Sequence, residues 1–277
     1  MKRFRRRLIR PILNMLVVAG YDVVRLPAYR ARRPKGVRVD LQTSRFVTPL
    51  GSFVVPADSR NDVIAEHIIR GIVFEQEIVD ACAKFIPLGG VVVDVGANLG
   101  QMSVEFSRIV GPTGSVHSFE AQPYLFPFLV ENLRANTNGV AKPFLGAVGE
   151  VDGGFTYFPK PDLREFGSYG SYPIPVDSSC DEKDRVARVT LDSILKVQRL
   201  DLIKVDVQGY DLFVLRGAIS QIRKYKPAIL FEFESQFQAD VGTCFQDYLD
   251  FLREIEYEVY EVINGINYLC RPGVKVS

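Results

Sequence analysis

Two short stretches of this chain combine acids and glycines at spacings that suit a bound nucleoside. The first, VVVDVGANLGQ, occupies residues 91–101, and the second, HSFEAQP, occupies residues 117–123. The order of apolar runs, glycines and acids predicts a strand, a tight turn, a helix and a second strand. Glu120 follows Gly100 by 20 residues. A strand-tip carboxylate at that distance can accept hydrogen bonds from both hydroxyls of a ribose.

The glycine spacing indicates which cofactor this turn would hold. A dinucleotide site uses three glycines, so that the backbone and a helix N-terminus can approach a pyrophosphate. Here Asn98 replaces the second of them, and Asp94 precedes the turn, where its charge would repel a pyrophosphate. The pattern instead suits S-adenosylmethionine (SAM), which carries an ammonium group and no phosphate. The alternative is a turn whose glycines, Gly96 and Gly100, serve only tight packing.

Composition limits the classes of function. With 277 residues, 47% of them hydrophobic and 24% charged, the chain can form one large α/β domain with an N-terminal addition. A net charge of +1 gives no support for nucleic-acid binding. The four cysteines contain no C-x-x-C pair, and two histidines are too few for a His-rich metal site. We therefore predict reduced thiols, a cytoplasmic protein and no metal.

Residues 1–35 are strongly basic and contain a single acid, Asp22. Their apolar stretch, residues 12–19, is too short to span a bilayer, and no clear signal-peptide cleavage site follows it. One interpretation is a basic amphipathic helix that lies on the inner, anionic membrane face. The other is a helix that packs on the rest of the protein.

Alternating apolar and helical patterns extend the first unit into a larger fold. The predicted strands are 91–95, 115–120, 141–148, 202–207, 228–234, 258–262 and 267–271, and the predicted helices are 64–86, 101–110, 124–136, 211–224 and 245–255. Repeated βα units predict an α/β fold with a doubly wound, mostly parallel, seven-stranded Rossmann-like sheet. The last two strands flank Asn264-Gly265, which predicts a terminal hairpin with an antiparallel edge strand.

The chain divides into two predicted parts. Residues 1–60 are interpreted as a basic helical arm and a small β cap, the cap being a hairpin of the β-like pieces at 37–41 and 52–56. Residues 61–277 form the main domain. Within it, residues 148–200 contain a long stretch rich in glycine, proline, serine and aromatic residues. Long loops in compact domains are usually functional or disordered, so we predict a substrate lid, or else a surface insertion without chemistry.

A second group of charged residues follows the later strands. Asp206 ends one predicted strand, and Glu232 and Glu234 share one face of the next. Carboxylates at adjacent strand ends could deprotonate or orient a substrate hydroxyl, or hold a divalent cation. They could equally serve only capping and support. Lys204 lies on the same face as Asp206, either as its ionic partner or as a catalytic amine.

The motifs together resemble FkbM-type SAM-dependent methyltransferases, over roughly residues 75–234. DVGANLGQMS, SFEAQPYLFPFLVENLRAN, AVGE, GSYGS and LDLIKVDVQGYDLFVLRGA occur in that order. The resemblance implies a class I methyltransferase fold and methyl transfer to a hydroxyl of a sugar, glycan or natural product. Two departures are Gln208, where relatives commonly have Glu, and Ala121-Gln122-Pro123, where they commonly have Pro directly after Glu120. The first puts a second acid beside Asp206 in doubt.

The resemblance also implies a set of cofactor-binding residues. They are Asp94, Gly96, Ala97, Asn98, Gly100, Glu120, Ala121, Ala147, Val148 and Asp206. A hydroxyl has a pKa far above neutral and needs a general base, for which Asp206 is the first candidate and Glu232 the second. The alternatives are a membrane-surface scaffold that retains a SAM-binding fold and, disfavoured by Asn98 and Asp94, an NAD-dependent oxidoreductase.

Overall fold

The computed structural model describes residues 43–57, 59, 62–158 and 184–273. The predicted N-terminal arm, the β-like piece at 37–41 and most of the predicted lid lie outside these residues. The described strands are β1 Thr43–Thr48, β2 Gly51–Pro56, β3 Val91–Val95, β4 Ser115–Glu120, β5 Ala141–Leu145, β6 Ala147–Val148, β7 Phe155–Tyr157, β8 Arg185–Val189, β9 Leu202–Val205, β10 Ala228–Glu232, β11 Tyr257–Ile263 and β12 Asn267–Pro272.

The helices of the described part cover both sides of the sheet. They are α1 Val63–Arg70, α2 Gln76–Ala83, α3 Gln101–Val110, α4 Phe126–Asn136, α5 Leu191–Ile194, α6 Asp211–Arg216, α7 Ile219–Tyr225, α8 Ser235–Val241 and α9 Phe245–Glu254. Successive strand residues enter opposite layers of the core because side chains alternate along a strand. Val92 packs with Phe106 and Leu129 on one face, whereas Val93 packs with Leu212 and Tyr248 on the other. The predicted doubly wound arrangement is therefore present.

Seven strands form the main sheet, in the order β11-β12-β10-β9-β3-β4-β5. β10, β9, β3, β4 and β5 pair in parallel, and β12 runs antiparallel to both of its neighbours. The predicted mostly parallel sheet with a terminal antiparallel hairpin is therefore confirmed. After a turn in which Asn264 and Gly265 have positive φ, β12 returns between β10 and β11, so that β11 forms the edge.

Three predicted elements are interrupted where the chain needs a sharp change of direction. The predicted helix over 64–86 ends at Gly71, which caps α1 in the left-handed conformation before α2 begins. The predicted helix over 211–224 is divided at Gly217, where a Cβ would lie 1.9 Å from the carbonyl oxygen of Gly149. The predicted strand over 141–148 breaks at Gly146, and the chain then leaves the main sheet.

Two smaller sheets flank the main one. β1 and β2 form an antiparallel hairpin in which the predicted β-like piece at 52–56 pairs with 43–48. Asn132 of α4 binds both backbone groups of Val54, and Phe53 and Val54 are buried in the same core as the main sheet. β6, β8 and β7 form a three-stranded sheet from the two described ends of the insertion.

Candidate active site

The turn after β3 is the first wall of the site. Gly96 has a φ of 81°, and its N–H and that of Ala97 both donate to the carbonyl oxygen of Phe119 in β4, at 3.0 and 2.9 Å. Gly100 has a φ of 82° and begins α3, where a Cβ would lie 2.7 Å from Leu129. Because neither glycine has a side chain, the turn can pack closely against its neighbours. Both glycines also have a positive φ, which other residues rarely adopt.

Glu120, at the end of β4, connects this turn to the next loop. Its Oε2 accepts the N–H of Asn98 at 2.8 Å, and its Oε1 accepts the N–H of Gln122 at 2.7 Å. Burial raises the pKa of Glu120, and these backbone donors partly oppose that effect. Each carboxylate oxygen can accept a second hydrogen bond, so Glu120 keeps acceptor capacity for a ligand.

A cavity of about 530 Å³ lies at the carboxyl ends of the parallel strands. This edge is where open α/β sheets bind their ligands. The sequence-predicted residues that line the cavity are Gly96, Ala97, Asn98, Glu120, Ala121, Ala147, Val148, Lys204, Asp206 and Glu232. Two predicted residues, Asp94 and Gly100, do not line it.

Asp94 lies behind the turn, where its side chain is fully buried. Its Oδ2 accepts a hydrogen bond from Ser103 of α3, and its Oδ1 is 3.2 Å from the Nζ of Lys204. The expectation that the charge of Asp94 meets a ligand directly does not match this position. Asp94 instead holds Lys204, which does line the cavity.

Lys204 joins the two acids at the ends of β3 and β9. Its Nζ is 3.5 Å from Asp206 and donates to the carbonyl oxygen of Gly96 at 3.2 Å. Burial alone would lower the pKa of Lys204, but the charges of Asp94 and Asp206 outweigh burial and raise it. A lysine that stays charged cannot accept a proton, so the geometry favours an ionic partner over a catalytic amine.

Asp206 and Glu232 lie on adjacent strand ends, as the sequence predicts, and Gln208 connects them. The Nε2 of Gln208 is 3.4 Å from Oδ1 of Asp206 and 3.2 Å from Oε2 of Glu232. Burial, followed by the charges of Asp206 and Asp211, raises the pKa of Glu232 to about 9. A carboxyl group with so high a pKa keeps its proton at neutral pH. The side chain of Asp206 is paired with Lys204 and is 34% exposed.

One part of the cavity wall, formed by the segment before β3, was not predicted from the sequence. Glu75, between α1 and α2, lines the cavity together with Phe74 and Val63. Gln101 holds this segment in place, because its amide binds the N–H of Phe74 at 3.0 Å and the carbonyl of Ile72 at 2.8 Å. No spacing rule links Glu75 to the glycine turn, so the sequence carries no motif that identifies it.

The residues present fit SAM. The side-chain oxygen of Asn98 is buried in the cavity wall and has no hydrogen-bond partner among the described residues, which is consistent with a ligand donor. Glu120 offers a carboxylate for a ribose. The acids around Lys204 suit a ligand with a net positive charge. Among the described residues, no group of three or more His, Cys, Asp or Glu could hold a metal ion.

The fold is that of a class I methyltransferase: a seven-stranded α/β sheet with a cavity at the carboxyl ends of its parallel strands. A family model described as the methyltransferase FkbM domain matches residues 94–259. The chain belongs to this family, and it is a SAM-dependent methyltransferase.

Solved structures that are similar to this chain include three methyltransferases. Methyltransferase FkbM from Methylobacillus flagellatus is 15% identical, with a TM-score of 0.44 over 77% of this chain and 61% of that one. A SAM-dependent methyltransferase from Aquifex aeolicus is 14% identical (TM-score 0.40, 76% and 93%). The O-methyltransferase TomG from Streptomyces achromogenes, in complex with SAM, is 9% identical (TM-score 0.45, 76% and 86%). No curated protein matches the chain.

Proposed function

We propose that this enzyme is an O-methyltransferase whose acceptor is a hydroxyl of a sugar, glycan or natural product. The observation that carries the proposal is the position of Asp206, a carboxylate on the cavity wall beside the glycine turn that is paired with Lys204. A hydroxyl is a poor nucleophile until it loses its proton, and a carboxylate can accept that proton. A protonated Glu232 cannot do so at neutral pH, which ranks Asp206 first.

The chain's own residues would position the reactants more than they take part in bond making. SAM supplies an electrophilic methyl group when it is bound. Glu120 and the turn at Asn98 would hold the nucleoside, and Lys204 and Gln208 would fix the carboxylate of Asp206. Holding a donor and an acceptor in line accounts for a large share of catalysis in transfers of this kind.

The apolar part of the cavity supports an acceptor with a hydrophobic body. This apolar surface is formed by Ile64, Phe74, Val148, Phe158 and Phe237. Phe158 is the last described residue before 159–183, the central part of the predicted lid. We propose that the insertion over residues 148–200 serves as a substrate lid.

A radiolabelled-methyl assay tests the proposal directly. Purified full-length protein and labelled SAM are incubated with lipid, glycan and small-molecule fractions of a cell extract, and the labelled product is then hydrolysed. Label that resists mild base and appears in a methyl ether supports the proposal. Label on nitrogen or carbon would contradict O-methylation, and SAM binding without any methyl transfer would favour the scaffold alternative.

We propose a peripheral membrane contact through residues 1–35, which lie outside the described residues. Within the described part, no helix has both the length and the hydropathy needed to cross a bilayer. Each Lys or Arg near an anionic surface is worth about 1 kcal/mol, so the arm's basic residues support the contact. Cosedimentation with anionic liposomes should be weakened by deletion of residues 1–35, and high salt should weaken it if charge leads the attachment. If the protein pellets equally and negligibly with and without residues 1–35, the proposed membrane contact is wrong.

A further inference from the structure

Glu75 occupies a fixed and unusual position beside the cofactor cavity. Its backbone is left-handed, with φ 54° and ψ 49°, although it is not a glycine. It precedes α2 and caps the helix with no side-chain hydrogen bond. Non-glycine residues in this conformation are uncommon and cluster at functional sites.

A buried clamp fixes Glu75 relative to the glycine turn. Gln101, directly after Gly100, is only 4% exposed and binds the backbone at Ile72 and at Phe74. Phe74 is the immediate neighbour of Glu75. The side chain that lines the cavity is therefore tied to the segment that would hold the cofactor.

Among the described residues, the carboxylate of Glu75 differs from the other acids of the cavity in its surroundings. Asp206 pairs with Lys204, Glu232 accepts from Gln208, and Glu234 accepts from Gln236. Among the described residues, the carboxylate of Glu75 forms no hydrogen bond and no ion pair, although it is partly buried. A partly buried carboxylate without a partner is unfavourable unless a cationic ligand compensates it.

The charged groups around Glu75 keep it responsive to a ligand. Asp206 and Lys204 act on it from the end of β9, Glu77 acts from α2, and the charge of Glu75 in turn raises the pKa of Glu232 on β10. Burial, and then the charge of Asp206, raises the pKa of Glu75 to about 7, and Lys204 opposes them. At neutral pH a nearby positive charge would therefore shift its ionisation strongly.

We propose that Glu75 is a further cofactor-recognition residue, whose free carboxylate distinguishes the methyl donor from its demethylated product by charge. SAM carries a sulfonium, and S-adenosylhomocysteine, the product, carries a neutral thioether in its place. Ionised Glu75 would bind the donor more tightly and release the product more readily. The proposal depends on SAM as cofactor and not on the identity of the acceptor.

Proton linkage measured by calorimetry tests the proposal without an acceptor. Full-length wild type and the Glu75→Gln variant are titrated with SAM and with S-adenosylhomocysteine between pH 5.5 and 7.5, in buffers of different ionisation enthalpy. A ligand that lowers the pKa of Glu75 by about one unit binds about tenfold more tightly above that pKa than below it. It would release roughly 0.4 proton per site at pH 7.

The expected result is specific to both the ligand and the residue. In wild type, SAM binding releases protons and the preference for SAM over the product rises with pH. Glu75→Gln loses both effects, and Glu75→Asp keeps them, because aspartate tolerates the left-handed backbone. Glu77→Gln is the matched control. Glu77 is an exposed acid on the same segment as Glu75, and its carboxylate accepts a hydrogen bond from Asn264.

Two outcomes would overturn the proposal. If Glu75→Gln binds SAM with the pH dependence and proton release of wild type, another group carries the linkage. If SAM and S-adenosylhomocysteine release the same number of protons from wild type, the cavity does not sense the sulfonium. Failure to bind SAM at all in wild type would instead contradict the SAM-dependence of the enzyme, so the two failures are distinguishable.

Discussion

Gly96 and Asp206 are in such close contact that a Cβ on the glycine would lie 1.9 Å from the carbonyl oxygen of the aspartate. The Asp206 N–H also donates to the carbonyl of Val95 at 3.1 Å. The ends of β3 and β9 therefore meet at a point with no room for a side chain. Since both ends contribute to the cavity wall, the glycine sets the distance between the cofactor turn and the candidate base.

Replacing Gly96 by alanine should abolish SAM binding. The new methyl group would force the cofactor turn away from Asp206, and the positive φ adds strain of about 1–2 kcal/mol. Gly139→Ala is the matched control, because Gly139 has a φ of 82° and a Cβ added there would meet no atom of the described residues within 4 Å. Gly139→Ala should lose only the stability that the strained backbone costs, and it should bind SAM normally. Equal effects of the two substitutions on SAM affinity, measured by calorimetry, would contradict the steric argument.

Glu120→Ala should weaken SAM binding by roughly 1.5–3 kcal/mol, the usual value for a lost hydrogen bond to a charged group. Glu120→Gln should weaken it less, because one side-chain oxygen remains. Circular dichroism is needed beside calorimetry, since the carboxylate also holds Asn98 and Gln122. Wild-type affinity in a folded Glu120→Ala protein would remove the ribose assignment.

Asp206→Asn should leave SAM binding nearly intact and reduce turnover by a factor on the order of 10²–10⁴, as expected for a lost general base. Asp201→Asn is the control at the opposite end of β9, where Asp201 binds the N–H of Val91 and Arg199. It should lower stability and leave turnover unchanged. Near-normal turnover in Asp206→Asn would make Asp206 structural, and loss of wild-type activity on adding EDTA would show that the carboxylates hold a metal.

The contribution of Glu232 to the stability of the protein should fall as pH rises from 4.5 to about 9. A carboxyl group whose folded-state pKa is raised stabilises the fold below its unfolded pKa, and this contribution is lost as pH rises through the folded value. For Glu232 that window extends from 4.5 to about 9. Melting temperatures of Glu232→Gln should depend less on pH than those of wild type, whereas Glu254→Gln, at an exposed ion pair, should follow wild type. Identical pH slopes for Glu232→Gln and wild type would contradict this assignment.

The elements that a short local pattern defines were predictable from the sequence. The bounds of β3, α3 and β4 agree with the prediction, because Gly96 follows β3, Gly100 precedes α3 and Glu120 ends β4. The breaks at Gly71, Gly146 and Gly217 were not predictable. A close approach to a distant backbone causes the last of them, and a local pattern does not contain that information.

The residues of the site divide in the same way. Some follow from a local sequence pattern, and the others depend on tertiary contacts. Glu120 ends a strand, Asn98 and Asp206 follow strands, and all three could be placed at the sheet edge from their spacing. Asp94 could not be placed behind the turn, because its pairing with Lys204 depends on the register between β3 and β9. Glu75 reaches the cavity through a clamp by Gln101, which is a tertiary contact without a sequence signature.

Ligand-dependent melting of the full-length protein tests the central claim most directly, namely that the cavity between Gly96, Glu120 and Asp206 binds SAM. SAM at about 100 times its dissociation constant should stabilise the wild type by about 2.7 kcal/mol. NAD at the same concentration should have no effect, and neither ligand should stabilise Gly96→Ala. Stabilisation by NAD but not by SAM, or equal stabilisation of Gly96→Ala and wild type by SAM, would contradict the account.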